Sequence, residues 1–539
     1  MLPLNRVLQV ESGSETRRAN ADRRLVWINL LGFAGLCGFL FVLKLFASSA
    51  VVFDYAKEVY HAQELRWIYD AANPPLYTWL LHVFQKLFGV ELWSVLALSL
   101  LLLFGIFAAG FALARQALPT VGLAALATWS VMLVGQYHRI QYSMTHSLLA
   151  AIACALALWL MLRATRDRRL GDYALLGVVV AVGLLSKFIF LASFLAMIAA
   201  ALAGPSGRRM ALTPKFCVTL LLAAVLSAPI IQAASGGWSR LVEIFQSRSG
   251  RDASDGYLTG VLQGFGSLVE SAGNYAFLLA IAMAVAILPV FVRRGSPFPT
   301  GTVTPEPIAA GWEVKMVRHV LIAGVVFLMV AIVALEVSIV KGRFLHVFLY
   351  PLPILAVAIV ARHVPGAAGL RRYFWVLAAI GVGTVVVRAV NLSPACLGRC
   401  HELVPYDRLA ERLSAAGFRQ GTILALGVRL GGNLRLRFPA SRVDAVVDPF
   451  RPAAPPPGRR GQCLIVWSLK GVRDGARLEP LFESAGLAHA GGLRGVKVGT
   501  VPVEWRWHGL QVFNPQRDWK ARRITWRYVL LPEGTPTCH

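Results

Sequence analysis

Eleven apolar runs decide what this chain can become. They lie at about Leu25–Phe46, Leu92–Leu113, Val121–Val134, Leu148–Leu162, Tyr173–Leu185, Ile189–Leu202, Phe216–Ala233, Tyr275–Val292, Val320–Leu335, Val347–Ala361 and Tyr373–Val390. A bilayer-spanning helix needs about 20 predominantly apolar residues. In hydrocarbon each backbone N–H and C=O must find its partner inside the segment, which a helix provides. The runs therefore predict a polytopic α-helical membrane protein with about 11 transmembrane helices. Composition agrees: 56% of the 539 residues are hydrophobic, only 15% are charged, and the mean hydropathy is +0.60, which excludes an ordinary soluble domain.

A formal net charge of +26 brings nucleic acid to mind, but the positions of the charges argue against it. Arg17, Arg18, Arg23 and Arg24 border the first apolar run, and Arg163, Arg166, Arg168 and Arg169 border another. That is how loops are retained in the cytoplasm, and no basic-aromatic motif of a nucleic-acid reader is present. With residues 1–24 as a cytoplasmic leader, the connections Arg163–Arg169, Arg208–Lys215, Arg293–Arg318 and Arg362–Arg372 all fall inside. An odd number of crossings then places the C-terminal part outside. The first run competes with a cleaved signal peptide ending near Ala47-Ser48-Ser49-Ala50; its length and the spans that follow favour an uncleaved helix.

The same topology puts Phe53–Glu91, Gly135–Ser147, Ser186–Phe188, Ala234–Asn274 and Glu336–His346 outside, and these carry polar residues that retention does not explain. The first, within an external loop 47–91, holds Asp54, Lys57, Glu58, Glu64, Arg66 and Asp70 among interfacial apolar residues such as Trp67 and Trp79. Pro74-Pro75 should separate one interfacial helix from the next. The second holds His138, Arg139, Gln141 and His146, the third Lys187, and the fifth Glu336, Lys341, Arg343 and His346. Arg240, Arg248, Arg251, Asp252 and Asp255 stand in the fourth, a Gly- and Ser-rich loop. Snorkelling accounts for any one cation at a helix end; the set, converging on one face of the membrane, is more economically an anion site. His146 suits either a headgroup contact or a helix cap.

From about residue 392 the composition changes to that of a small α/β domain, 392–539, following a transmembrane part 25–391. Pro405–Gly417 reads as a helix; Thr422–Gly427, Arg442–Val447, Cys463–Leu469, Val503–Phe513 and Ile524–Leu531 read as strands, with Ala453–Gly458 a proline-rich loop. Cys37, Cys154 and Cys217 fall in apolar helices and suit small core residues. Cys396, Cys400, Cys463 and Cys538 form either one or two disulfides or remain thiols, and their spacing makes a poor zinc site.

Several loop motifs carry a resemblance. Asp54, Tyr60-His61-Ala62-Gln63 and Pro74-Pro75-Leu76-Tyr77-Thr78-Trp79 resemble the first external loop of the bacterial family 39 glycosyltransferases, relatives of protein O-mannosyltransferases and of the aminoarabinose transferase of lipid A. Leu184-Leu185-Ser186-Lys187-Phe188 resembles the family's leucine-serine/threonine-lysine signature. Lys341-Gly342-Arg343-Phe344 with Pro351 and Pro353 resembles its arginine-aromatic stretch, and Gly431-Gly432-Asn433-Leu434-Arg435 a tail seen in some members.

The resemblance implies a GT-C fold and a sugar drawn from a polyprenyl-phosphate carrier at the outer face of the inner membrane. The acceptor would be a lipid or glycan such as the lipopolysaccharide core or lipid A, reached in one inverting displacement. It implies Asp54 as general base, and with the placement above it makes Glu58, Tyr60, Gln63, Arg139, His146, Lys187, Lys341 and Arg343 candidate substrate-binding residues. Glu58, Glu64 and Asp70 are expected to tolerate amide substitution far better than Asp54. A competing reading makes Asp54 a helix N-cap. Ala72-Asn73 stand where the aminoarabinose branch has an acid–lysine pair, so the divalent-cation pattern is incomplete and no metal ligand is assigned. A lipid or sugar transporter or flippase is the alternative; it would place ionisable groups at mid-membrane depth in paired halves, and here they gather on one side. A membrane anchor for the C-terminal domain is a third reading, weakened by the lack of a catalytic grouping there.

Overall fold

The structure, a computed structural model, describes residues 4–69, 73–135, 137, 145–235, 256–294, 311–364, 367–393, 401–445, 461–468, 498–505 and 522–531. Its helices in chain order are α1 (Leu4–Ala47), α2 (Phe53–His61), α3 (Leu76–Phe88), α4 (Leu92–Ala117), α5 (Val121–Trp129), α6 (His146–Asp167), α7 (Leu170–Ser186), α8 (Phe190–Leu202) and α9 (Pro205–Ala211). There follow α10 (Pro214–Ser235), α11 (Tyr257–Arg294), α12 (Trp312–Leu335), α13 (Gly342–Leu349), α14 (Leu352–His363), α15 (Ala367–Asn391), α16 (Tyr406–Ala415) and α17 (Val428–Arg437).

The apolar runs are helical, but Val121–Val134 passes from α5 into a 3-10 turn and Val347–Ala361 straddles the break between α13 and α14. Among the described residues six helices are long and apolar enough to cross a membrane, or up to eight spans if each bent pair counts as one. The bent pairs are Pro205–Ala211 with Pro214–Ile230, turning by 60°, and Gly342–Leu349 with Leu352–His363, turning by 58°. Val121–Leu133, Leu170–Ser186 and Phe190–Leu202 are shorter apolar helices. A proline opens the second limb of the first pair, and Pro351 and Pro353 stand at the bend of the second, where a missing N–H costs least.

Two expectations need correction. The region 234–274 does not form one long loop, because α11 begins at Tyr257. Leu258, Val261, Leu262, Phe265, Leu268 and Val269 keep helical spacing there, which Gly260, Gly264, Gly266 and Gly273 obscure in the sequence. Arg240, Arg248, Arg251, Asp252 and Asp255 lie outside the described residues. The second concerns Glu336–His346, which is loop only as far as Lys341; Gly342 onward is α13. The polar leader is likewise helical from Leu4, since no proline follows Pro3 before the first apolar run ends.

The chain packs as two compact units. One comprises Met1–Phe39, Leu101–Arg139 and Ser147–Val382. Within it α7 lies close against α10, where a Cβ on Gly177 would fall 2.8 Å from the Thr219 carbonyl oxygen. The Thr219 hydroxyl donates to the Tyr173 carbonyl at 2.8 Å.

The other unit comprises Leu40–Leu100, Ile140–His146 and Gly383–His539. It holds a five-stranded sheet, β1 (Gly421–Ala425), β2 (Arg442–Ala445), β3 (Gln462–Ser468), β4 (Val498–Trp505) and β5 (Arg522–Leu531), ordered β2-β1-β3-β5-β4. β1 runs parallel to β2 and β3, and the pairs β3–β5 and β4–β5 are antiparallel. α17 makes the crossover between β1 and β2 that a parallel pair requires. Leu409, Leu413, Ile423, Leu434, Val443, Leu464, Val466 and Trp526 form its core, and Ala50 and Tyr60, far earlier in the chain, belong to the same cluster. Cys463, on β3, is disulfide-bonded. Cys37 and Cys154 are free and buried, as small core residues should be; Cys217 is free but exposed.

Candidate active site

In the stretch 47–91, α2 ends at His61 and Pro75 stands at the N-cap of α3. α2 is amphipathic, with Tyr55, Ala56, Val59 and Tyr60 buried and Asp54 and Lys57 partly exposed. Its N-cap residue is Val52, so Asp54 is not the cap; it lies in the first helical turn. A carboxylate there is favoured by the positive end of the helix dipole.

Glu58 follows Asp54 by four residues, on the same side of α2. It is 2% exposed. Its Oε1 is 3.0 Å from His146 Nε2, and its Oε2 accepts from the Thr78 hydroxyl at 2.5 Å. Burial alone would push this carboxyl up, but the His146 imidazole beside it, with Lys57 and His61, more than reverses that and holds it at about 2. Glu58 is therefore an anion with both oxygens engaged. The His146 ring packs on Tyr77 at 5.5 Å between centroids, and burial holds the Tyr77 phenol well above its ordinary value. Among the described residues His146 Nδ1 has no hydrogen-bond partner.

Beneath the N-terminal side of α2, Glu402 takes two buried cations: Arg388 at 2.6 Å and Lys44 at 3.8 Å, both to Oε1. Lys44 also stands 5.9 Å from the centroid of the Tyr55 ring. The Glu402 carbonyl accepts from the backbone N–H groups of Ser49 at 2.9 Å and Ala50 at 3.1 Å, which fixes the chain entering α2.

In the first-described unit a second cluster is cationic. Lys187 occupies the break between α7 and α8 in an extended conformation, and its ammonium donates to Ser147 Oγ at 2.6 Å. Lys187 Nζ is 5.6 Å and Arg343 Cζ 5.7 Å from the centroid of the same ring, Phe344. Among the described residues the buried Arg343 Nε has no hydrogen-bond partner, and neither ring nitrogen of buried His346 has one. Lys341 is the N-cap residue of α13. The stretch before it is strapped to α11, because Val340 N–H donates to Ser267 Oγ at 2.8 Å and Ser271 Oγ donates to the Val340 carbonyl at 2.7 Å.

The structure thus joins Glu58 to His146, and sets Lys187 and Arg343 on one ring. It puts Tyr60 in the α/β core, and it ties Gln63 to the backbone of Val443. Arg139 and Asp70 lie outside the described residues. In the sequence Thr78 and Phe344 enter only as members of motifs and Ser147 only as a loop end, with no role given to any of them. Each is a common residue whose only local signal is its place beside Tyr77, His146 or Arg343. Among the described residues no group of three His, Cys, Asp or Glu side chains is placed to hold a metal ion.

Residues 72–232 match the family model for dolichyl-phosphate-mannose-protein mannosyltransferases. The chain is similar to the lipopolysaccharide core galacturonosyltransferase RgtA of Rhizobium johnstonii, 25% identical over 466 residues covering 83% of this chain and 89% of that one. RgtB of the same organism, which bears the same description, is 25% identical over 436 residues, 79% of this chain and 84% of its own. Among solved structures, ArnT from Cupriavidus metallidurans bound to undecaprenyl phosphate superposes with a TM-score of 0.54 at 15% identity, covering 93% of this chain and 98% of that one.

The chain has a GT-C-like fold rich in membrane-spanning helices. The family-model match begins just ahead of the prolines before α3 and runs through Lys187 into α10, so it takes in His146 and Ser147 but stops short of Arg343.

Proposed function

We propose that the chain transfers a sugar from a polyprenyl-phosphate carrier to a glycan or lipid acceptor of the cell envelope, with Asp54 as general base and Lys187 and Arg343 on the carrier phosphate. The relatives' names favour a galacturonosyl residue as the sugar and the lipopolysaccharide core as the acceptor. The observation that carries the reading is the convergence of two cations on Phe344. Two cations beside one ring suit an anionic group, and the leaving group of this reaction is a phosphate. Asp54 takes the acceptor hydroxyl proton as the new C1–O bond forms and the C1–O bond to phosphate breaks. The bonding pair leaves with the phosphate, where a guanidinium and an ammonium stabilise it.

The direct test is to supply purified protein with polyprenyl-phosphate-linked galacturonic acid and lipopolysaccharide core, and to weigh the product. A mass increase of one uronic acid is expected; no transfer from any polyprenyl-phosphate sugar would overturn the reading. Lys187→Gln and Arg343→Gln should each raise the KM for donor by about 10-fold or more, the scale of a lost charge-assisted hydrogen bond. Arg168→Gln should leave it unchanged. Equal sensitivity at all three would remove the phosphate role.

The same reading places the α/β domain in the periplasm. The disulfide at Cys463 supports this, since such bonds persist in oxidising compartments. A reporter active only outside the cytoplasm, fused after Leu403, should be active, and a silent one there beside an active cytoplasmic reporter would reverse the topology.

A further inference from the structure

α2 carries both Asp54 and Glu58, and the α/β fold grips it at its two ends and its middle. Ahead of the helix, Asn433 of α17 closes a ring with one backbone unit: its Oδ1 accepts from Val51 N–H at 2.9 Å and its Nδ2 donates to the Val51 carbonyl at 2.8 Å. A third bond, from Nδ2 to the Arg429 carbonyl at 2.9 Å, fixes which end of the amide is nitrogen. Asn433 is 0% exposed. Past the helix, Gln63 closes the same kind of ring on the edge strand β2, its Oε1 accepting from Val443 N–H at 2.9 Å and its Nε2 donating to the Val443 carbonyl at 3.0 Å. Between the two, a Cβ at Gly432 would lie 1.9 Å from the Ala56 carbonyl oxygen, so only glycine lets α17 touch the α2 backbone.

Stability alone does not ask for this arrangement. An apolar contact would bury α2 as well, whereas a two-bond amide ring fixes direction and register to a few tenths of an ångström. Helix register is what sets where the Asp54 carboxylate stands. We infer that the α/β domain serves as a jig for α2, with Asn433 and Gln63 as positioning residues that act on transfer through Asp54. The inference rests on the reading of Asp54 as the base.

Two measurements on the full-length protein in detergent separate the jig from that base. In Asn433→Ala and in Gln63→Ala, hydrogen exchange of peptides covering residues 51–63 should accelerate by about 10-fold or more, while those covering β3 keep wild-type protection. Transfer should fall roughly 10- to 100-fold in kcat, the scale of a small misplacement of a reacting group, with KM for donor within about 2-fold. On an Asp54→Asn background neither change should reduce the residual rate further, because the group being positioned is already gone. Unchanged exchange at residues 51–63, or the same fold loss in both backgrounds, would overturn the jig. Wild-type transfer by Asp54→Asn alone would remove the base, and the exchange result would still decide whether the α/β domain holds α2.

Discussion

Asp54→Asn should lower sugar transfer by about 10²–10⁴-fold, the usual worth of a general base. Asparagine keeps the shape of the side chain and loses the capacity to take a proton. Helix formation does not depend on the carboxylate, since Val52 occupies the N-cap; the loss of a favourable charge at a helix start costs only about 0.3–1 kcal/mol. Carrier binding and thermal stability should therefore stay near wild type while turnover collapses. Glu64→Gln should transfer sugar well, because Glu64 is partly exposed and paired with Arg66 at 2.7 Å. A rate within about 3-fold of wild type for purified Asp54→Asn would contradict the base assignment, and the acceptor proton would need another home.

The largest effect on the fold is expected at Glu58. From the sequence this acid is a substrate-binding candidate expected, like Glu64 and Asp70, to tolerate amide substitution; its surroundings point instead to a structural role. Both oxygens are committed, to His146 and Thr78, in a site closed to water. Removing one partner of a buried pair leaves the other unpaired and costs about 3–5 kcal/mol. Glu58→Ala should show that loss as a lower unfolding midpoint in detergent, with transfer falling only in step with the folded fraction.

The pH dependence has a definite sign. The folded carboxyl titrates at about 2 against an ordinary 4.5, so its contribution is whole above pH 4.5 and disappears as the pH falls toward 2. Wild type should therefore lose its stability advantage over Glu58→Gln across that window. A constant gap down to pH 2 would show that the anion contributes nothing.

Much of the fold is legible because hydrocarbon solvent leaves few choices. A run such as Leu92–Leu113 can only be helical there, and the break after Ser186 is marked by a lysine between two apolar runs. The parts that escape notice are governed by close approach. Val428–Arg437 reads as two glycines among arginines, which by propensity argues against a helix, yet Gly432 is needed because another backbone lies where its Cβ would be. The start of α11 is hidden in the same way by its glycines. In the site, Asp54, Glu58, His146, Lys187 and Arg343 stand out as charges in apolar company. Thr78, Ser147 and Phe344 do not, since their roles arise from residues that are distant or unremarkable in the sequence. Gln63 looks like a ligand residue by its motif, and its amide is spent on β2.

One consequence concerns how such a chain can be cut and recombined. Ala50 and Tyr60 share an interior with Leu409, Leu434 and Val443, more than three hundred residues further along the chain. The C-terminal α/β fold is thus not a detachable module. A chimera that takes its tail from a relative while keeping its own first loop would set foreign side chains against Ala56 and Val51, and one bulkier residue at Gly432 suffices to forbid closure. Productive exchanges with a relative should inherit residues 50–63 and 430–445 as a single block, so that the helix bearing Asp54 travels with the α/β fold that holds it.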